Sequence, residues 1–303
     1  MKDNLLAQLA KVEQIANYSK LRRLFCNPYR YLLAILYRHF FYPIRKKIIL
    51  IETDLFFGGK MKIALPASTD IYLTRGKSHS SEIRLAKFMI KHIHSGNHFL
   101  DIGAHYGYFT RLATELIGPT GLTYSFEPTS VSYKILSENC NQIKNISIFQ
   151  KAVSNQKGNL VFYEFPNLHS EYNSFDITQF KDENWFQHSK PVAVNIEATT
   201  IDDILVNTKF QPHYIKIDVE GGELKVIEGG KNYLMSHTPI LMMEYLAPDR
   251  NNQPHSQALQ LLLSMNYQPH IIQNSGELNL INDIDHYLSD SKLESDNIVF
   301  VKL

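Results

Sequence analysis

The stretch His98-Phe99-Leu100-Asp101-Ile102-Gly103-Ala104-His105-Tyr106-Gly107-Tyr108-Phe109-Thr110 decides the fold. A short apolar run ends in an acid, two glycines follow four residues apart, and apolar residues at helical spacing continue to Ile117. That order predicts a buried strand, a tight turn and a helix. In open α/β sheets, the crevice beyond the carboxyl end of such a strand receives nucleotide-like ligands. Gly103 and Gly107 permit positive φ and a close approach of backbone to ligand. Their G-x-x-x-G spacing differs from the G-x-G-x-x-G of dinucleotide folds. Asp101 at the strand tip disfavours a phosphate, which wants donors. A cationic, phosphate-free nucleoside suits it, and S-adenosylmethionine is one.

Downstream, strands and helices alternate, which predicts a doubly wound sheet. Strands are expected at 122–126, 146–150, 214–219 and 239–245, with a late pair at 267–273 and 297–301. Segments 160–164 and 192–197 alternate apolar and polar residues and predict an accessory strand pair. Between them, 166–190 is polar and aromatic, with Tyr172 and Trp185, and reads as a loop over the site. Upstream, 48–51 and 60–65 flank Phe57-Gly58-Gly59 as a hairpin, 71–73 suggests a third strand, and Ser81 caps a helix running to about His94. Residues 1–48 read as helical, with breaks at Asn27-Pro28 and Pro43.

Four acids end four separate strands: Asp101, Glu127, Asp218 and Glu244. Parallel strands carry such tips to one edge, so the four are expected in one crevice. Glu127, one strand beyond the glycine turn, is placed to accept both ribose hydroxyls. Val153 and Ser154 would flank an adenine. Lys216, Asp218 and Glu220 alternate along a strand and so share a face. Three ionisable groups on a buried strand are costly unless paired or functional. A carboxylate there can take the proton of a hydroxyl nucleophile, with Lys216 orienting it. No metal is required; oxygen ligation of magnesium by Asp218 and Glu244 is the lesser reading.

The 303 residues carry a formal net charge of +1 that hides an asymmetry. Residues 1–50 hold ten Lys/Arg against two acids, a balance of +8, and the remainder balances at −7. The acidic body argues against tracking along nucleic acid, and no nucleic-acid partner is expected. The basic, aromatic front fits contact with an anionic membrane or with a second subunit through residues 1–48. Cys26 and Cys140 match no metal or redox spacing and read as reduced thiols. No signal peptide or spanning segment is evident, so the protein is expected in the cytoplasm or at the inner face of the membrane.

Phe99-Leu100-Asp101-Ile102-Gly103-Ala104-x-x-Gly107-Tyr108-Phe109-Thr110, Phe126-Glu127-Pro128, Ala152-Val153-Ser154, Thr200-Ile201-Asp202 and Ile215-Lys216-Ile217-Asp218-Val219-Glu220-Gly221-x-Glu223 resemble, in order and form, FkbM-type methyltransferases. The resemblance runs from about Ser80 to Tyr245. It implies an α/β, Rossmann-like class I methyltransferase fold: a seven-stranded, mostly parallel sheet with an antiparallel last strand. That domain would occupy 76–303, after a basic helical and β-hairpin extension over 1–75. It further implies that Asp101, Gly103, Ala104, His105, Gly107 and Tyr108 meet the methionine part of S-adenosylmethionine. Glu127 would meet the ribose and Ala152–Ser154 the adenine. His105 stands where the family usually has Asn. Members typically methylate hydroxyls of sugars, glycans or polyketide-like metabolites, which makes the partner a small-molecule or glycan acceptor. Transfer to nitrogen, on a small molecule or protein, and a nucleoside-binding scaffold without catalysis would share the same cofactor residues.

Overall fold

The structure, a computed structural model, describes residues 1–166, 177, 185–206, 208, 210–250 and 252–302. The chain begins with helices α1 (Lys2–Ala16), α2 (Lys20–Cys26) and α3 (Pro28–Leu36). The side chains of Ser19 and Asn27 cap α2 and α3 by accepting from the backbone N–H of Arg22 and Arg30. Pro43 does not break the segment as expected. A π turn over Tyr37–Phe41 widens the helix ahead of it, and α4 (Tyr42–Arg45) carries the proline in its first turn.

A hairpin follows, with β1 (Ile49–Asp54) antiparallel to β2 (Lys60–Leu65). The third strand expected at 71–73 is instead helix α5 (Thr69–Thr74). Ile71 and Thr74, one helical turn apart, are both buried, and the Thr74 hydroxyl donates to the carbonyl of Asp70. The N-cap position of helix α6 (Ser80–His92) falls on His79, whose side chain makes no capping bond, rather than on Ser81, whose hydroxyl lies 2.8 Å from the His79 ring.

The deciding stretch folds as read: β3 (His98–Ile102), a glycine turn and α7 (Tyr108–Ile117). The wound sheet continues through β4 (Leu122–Phe126), α8 (Ser130–Cys140) and β5 (Ile146–Phe149). Strands β6 (Ala152–Val153), β7 (Gly158–Glu164) and β8 (Val192–Thr199) form a separate sheet in the order β6-β8-β7. Then come α9 (Ile201–Val206), β9 (Tyr214–Ile217), α10 (Glu223–Glu228), α11 (Lys231–Ser236) and β10 (Ile240–Leu246). The chain closes with α12 (Gln253–Ser264), β11 (Tyr267–Ile272), β12 (Leu278–Leu280), α13 (Ile284–Ser291) and β13 (Ser295–Lys302).

The sheet order is β12-β11-β13-β10-β9-β3-β4-β5. Strands β5, β4, β3, β9 and β10 pair in parallel, and β13 lies antiparallel between β10 and β11. This is the seven-stranded class I pattern, extended by β12 as a short eighth strand at the edge. Side chains alternate across the sheet with the two-residue period of a strand. Phe99 joins one core with Phe88, Leu112, Met242 and Val299, and Leu100 joins the other with Ile215, Leu241 and Leu262. The front of the chain belongs to the first core through Leu5, Leu9 and Val12 of α1, with Met61 and Ile63 of β2. Helix α1 is tied to α6 by Lys87–Glu13 at 2.7 Å. By contrast, α3 buries only Ala34; it is held by Arg30, which donates to Thr53 Oγ1 and to the Tyr72 carbonyl.

Candidate active site

Strands β4, β3, β9 and β10 are consecutive in the sheet, so the four acids stand side by side at its carboxyl edge. Glu127 and Asp218 each follow directly on a strand, Asp101 is the penultimate residue of β3, and Glu244 lies late in β10. Two hollows open there. The larger, about 350 Å³, is lined by Gly103, Glu127, Val153 and Phe162 at one end and by Glu220, Glu244, Ser295 and Asn297 at the other. The smaller, about 190 Å³, reaches inward to Asp101, Ala104, Tyr108 and Lys216. Lys77, Glu82, Gly103, His105, Phe109 and Asp218 line both and so mark the passage between them.

The glycine turn is shaped by contacts rather than by flexibility. Gly103 has φ +82°, and a Cβ there would stand 1.8 Å from the Asp218 carbonyl oxygen. Its absence lets β3 and β9 close together beneath the ligand hollow, where the Asp218 N–H donates to the Ile102 carbonyl at 3.1 Å. Gly107, at φ +89°, has a different reason: a Cβ would meet Leu136 Cδ1 at 2.6 Å. It therefore seats α8 against the turn and lines neither hollow.

Asp101 is fully buried; its Oδ2 accepts from the Thr110 hydroxyl at 2.6 Å, and its Oδ1 has no hydrogen-bond partner. An orphaned carboxylate oxygen against a polar hollow fits a donor from outside, such as an ammonium group. Burial raises its pKa against the opposing charge of Lys216. Glu127 accepts from the His105 N–H at 2.9 Å and from the Thr129 N–H and hydroxyl at 3.1 and 2.5 Å. Burial outweighs those bonds and pushes its pKa up to about 7. A carboxylate offers about four lone-pair sites, so Glu127 keeps acceptor capacity for a ribose. These two acids and the glycine approach suit a cationic nucleoside.

On the other side, Lys216 donates to Asp218 Oδ2 at 2.9 Å and stands 3.8 Å from Asp101 Oδ1. Burial raises the Asp218 carboxyl, but Lys216 and Lys77 outweigh it and hold the group below its ordinary range. Glu220 does not extend the strand as expected. Strand β9 ends at Ile217, and Glu220 takes a left-handed φ of +51° that turns it back toward the site. One carboxylate oxygen each from Asp218, Glu220 and Glu244 then lies within 4.8 Å of the others. Burial, followed by the charge of Asp218, pushes Glu244 up to about 8. The Ser295 hydroxyl donates to its Oε1 at 2.8 Å. A hard cation would accept these three oxygens only once Glu244 has lost its proton.

Of the predicted residues, Gly103, His105, Glu127, Val153, Asp218 and Glu220 line the larger hollow, and Asp101, Ala104, Tyr108 and Lys216 the smaller. Ser154 lies outside both. Its N–H donates to the Thr199 carbonyl within the small sheet, and its own carbonyl packs against Gly229, so it belongs to a shallow dimple with Asn155 and Gln156. His105 is buried with φ +48°, stacks on Tyr106, and has its pKa lowered to about 3 by burial and then by Lys77. It is therefore neutral at physiological pH. Lys77, His79, Glu82, Phe162, Ser295 and Asn297 line the larger hollow without having been singled out in the sequence. Phe162 was legible as an apolar position of an alternating strand. For Lys77 and Glu82, which form an ion pair beside the passage, no local pattern pointed to the site. Tyr172 of the expected loop lies outside the described residues. Trp185 is described, and its ring meets Phe165 edge-on at 5.4 Å.

A model of the FkbM methyltransferase domain matches residues 101–269. Among solved structures, a FkbM methyltransferase from Methylobacillus flagellatus KT is similar at 14% identity and a TM-score of 0.45. The match covers 78% of this chain and 52% of that one, so the chain spans about half the length of that relative. A precorrin-6y C5,15-methyltransferase from Geobacter metallireducens GS-15 matches at 11% identity over 73% of this chain and 88% of its own, TM-score 0.41. Fibrillarin from Aeropyrum pernix, solved with natively bound S-adenosyl-L-methionine, matches at 10% identity over 72% and 74%, TM-score 0.38. No curated protein sequence matches the chain.

Proposed function

The chain belongs to the FkbM methyltransferase family, and on that premise we propose that it moves the methyl group of S-adenosylmethionine to a hydroxyl of a sugar, glycan or related metabolite. S-adenosylmethionine, the cofactor of this fold, supplies an electrophilic methyl group on a sulfonium. Asp101, with Gly103, Ala104, His105 and Tyr108 around it, would take the amino-acid part in the inner hollow. Glu127 would take the ribose, and Val153 and Phe162 the base. Gly107 acts indirectly, by seating the turn.

The observation that carries the reading is the position of Asp218 at the passage between the two hollows. Lys216 keeps that carboxylate ionised, so it can accept from an acceptor hydroxyl and orient it toward the methyl group. Glu220 lies beside the contact, and the proton passes to Glu244 when that carboxyl is ionised, since it is more basic than Asp218. Alignment of the reacting atoms accounts for most of the acceleration, and the proton acceptor for a factor on the order of 10²–10⁴. The far end of the hollow presents His79, Glu220, Glu244, Ser295 and Asn297, a lining suited to a polyhydroxylated acceptor. Two free cysteines fit a reducing compartment, and we place the enzyme in the cytoplasm.

Incubation with labelled S-adenosylmethionine and a panel of glycans, followed by product mass and linkage analysis, tests this. An O-methylated sugar in the presence of EDTA is the expected result. A methyl group on nitrogen, or transfer abolished by EDTA and restored by magnesium, would overturn the corresponding part of the reading.

A further inference from the structure

Helix α3 and the turns after it present their apolar side to solvent. Tyr29, Leu32, Leu36, Phe40, Phe41 and Ile44 are all exposed, Ile44 by 84%. The positions 29, 32, 33, 36 and 37 recur at the three- and four-residue intervals of a single helix face, the pattern that ordinarily faces a core. Here they line an open apolar groove of about 500 Å³ that continues to Arg45 and Ile49. Leu33 and Tyr37 at the edge of that stripe pack partly on the first core, and Ala34 with Arg30 fixes the helix to the body, which leaves Tyr29, Leu32 and Leu36 exposed. Among the described residues, no helix is long and apolar enough to cross a membrane.

Charge decides what covers this face. No Asp or Glu stands between Glu13 and Glu52, whereas eight Lys or Arg do. Arg38, Arg45, Lys46 and Lys47 are exposed at the end of the apolar stripe. A second copy of this chain would bring the same cations against these. An anionic surface neutralises them, and an exposed aromatic stripe with basic groups beside it is the composition of helices lying in a bilayer interface.

We infer that residues 28–47 dock this protein on an anionic lipid bilayer. Phe40, Phe41, Leu36 and Ile44 enter the acyl boundary, and Arg38 with Arg45–Lys47 meets the headgroups. Arg30 joins α3 to the carbonyl of Tyr72 in α5, and α5 contributes Asp70 and Ile71 to the lining of the inner hollow. Docking therefore fixes the active site at a set height above the lipid.

Flotation of the full chain with phosphatidylglycerol/phosphatidylcholine vesicles, against phosphatidylcholine alone, tests the inference. Binding to the anionic vesicles is expected. Phe40→Ser with Phe41→Ser should weaken it by at least about tenfold, from the apolar area lost. Replacing Arg38, Arg45, Lys46 and Lys47 with Gln should weaken it by about two orders of magnitude or more. Unchanged circular dichroism and S-adenosylhomocysteine affinity in each variant establish that the fold survives. Three results would overturn it: no vesicle binding, binding indifferent to the phenylalanine substitutions, or a dimer in sedimentation that those substitutions dissolve.

Discussion

Lys216 Nζ stands 2.9 Å from Asp218 Oδ2 and 3.8 Å from Asp101 Oδ1, so one buried cation bridges the inner and outer hollows. Burial lowers the lysine pKa, but the two carboxylates outweigh it, and the ammonium is held above its ordinary range. Lys216→Met leaves the two carboxylates with only the more distant charge of Lys77 to offset them. A loss of stability of about 3–5 kcal/mol is expected by denaturant titration, with the Asp218 pKa shifted upward. Adding Asp218→Asn to Lys216→Met should recover part of that loss without restoring methyl transfer. If the double variant is no more stable than the single one, the bridge is not what holds this strand end.

Glu127 carries a pH prediction. Its folded pKa, pushed to about 7 from an ordinary 4.5, means that the native state holds this proton more tightly than the unfolded chain. Below about 4.5 both states are protonated and nothing is lost. As pH rises toward 7 the unfolded chain ionises first, so the apo protein loses stability from this group until pH passes about 7. On the proposed function, ribose hydroxyls would reverse the preference by donating to the ionised form. Titration calorimetry of S-adenosylhomocysteine in buffers of different ionisation enthalpy should show proton release near pH 6–7. Glu127→Gln should remove that release and weaken binding roughly 10- to 100-fold, the contribution of a hydrogen bond to a charged group. Retained proton release in that variant would assign the titration elsewhere.

Two glycines with positive φ separate strain from contact. At Gly58, φ +105°, an added Cβ meets no atom within 4 Å; at Gly103, φ +82°, it meets the Asp218 carbonyl at 1.8 Å. Gly58→Ala should cost only the backbone strain, about 1–3 kcal/mol, with nucleoside affinity unchanged. Gly103→Ala adds a clash between neighbouring strand ends. It should cost more and abolish measurable S-adenosylhomocysteine binding in whatever fraction remains folded. Equal effects of the two on binding would contradict the close approach assigned to Gly103.

What was legible in the chain was what short-range chemistry controls. The unit from His98 to Ile117 reads correctly because an apolar run, positive-φ glycines and a 3.6-residue period each act within a few residues. Glu127, Asp218 and Glu244 could be brought together because parallel strands share one edge. Illegible features depend on distant partners. Residues 71–73 form helix α5 rather than a strand because Ile71, Tyr72 and Thr74 are buried against other elements. Ser154 turns from the crevice because its backbone is taken by Thr199 and by the close packing of Gly229. Lys77 enters the site from a loop whose own residues give no hint of Asp218. Helix α13 and the edge strand β12 have only eight and three residues, too short a stretch to establish a period.

Glu244 closes the set, because it ties geometry to rate. Its carboxyl lies within 4.8 Å of those of Asp218 and Glu220, and burial with the Asp218 charge pushes its pKa up to about 8. At neutral pH it holds a proton and cannot receive another; once ionised, it is a stronger base than Asp218. Methyl transfer at saturating S-adenosylmethionine should therefore rise about tenfold per pH unit up to pH 8 and then level off. Ser295→Ala removes the hydrogen bond that favours the ionised form, so the inflection should move upward with the plateau nearly kept. Glu244→Gln should abolish the inflection and lower the plateau by a factor on the order of 10²–10⁴. Were the pH profile of Glu244→Gln to match the parent enzyme, the proton would have to leave through Glu220 or Asp218 instead.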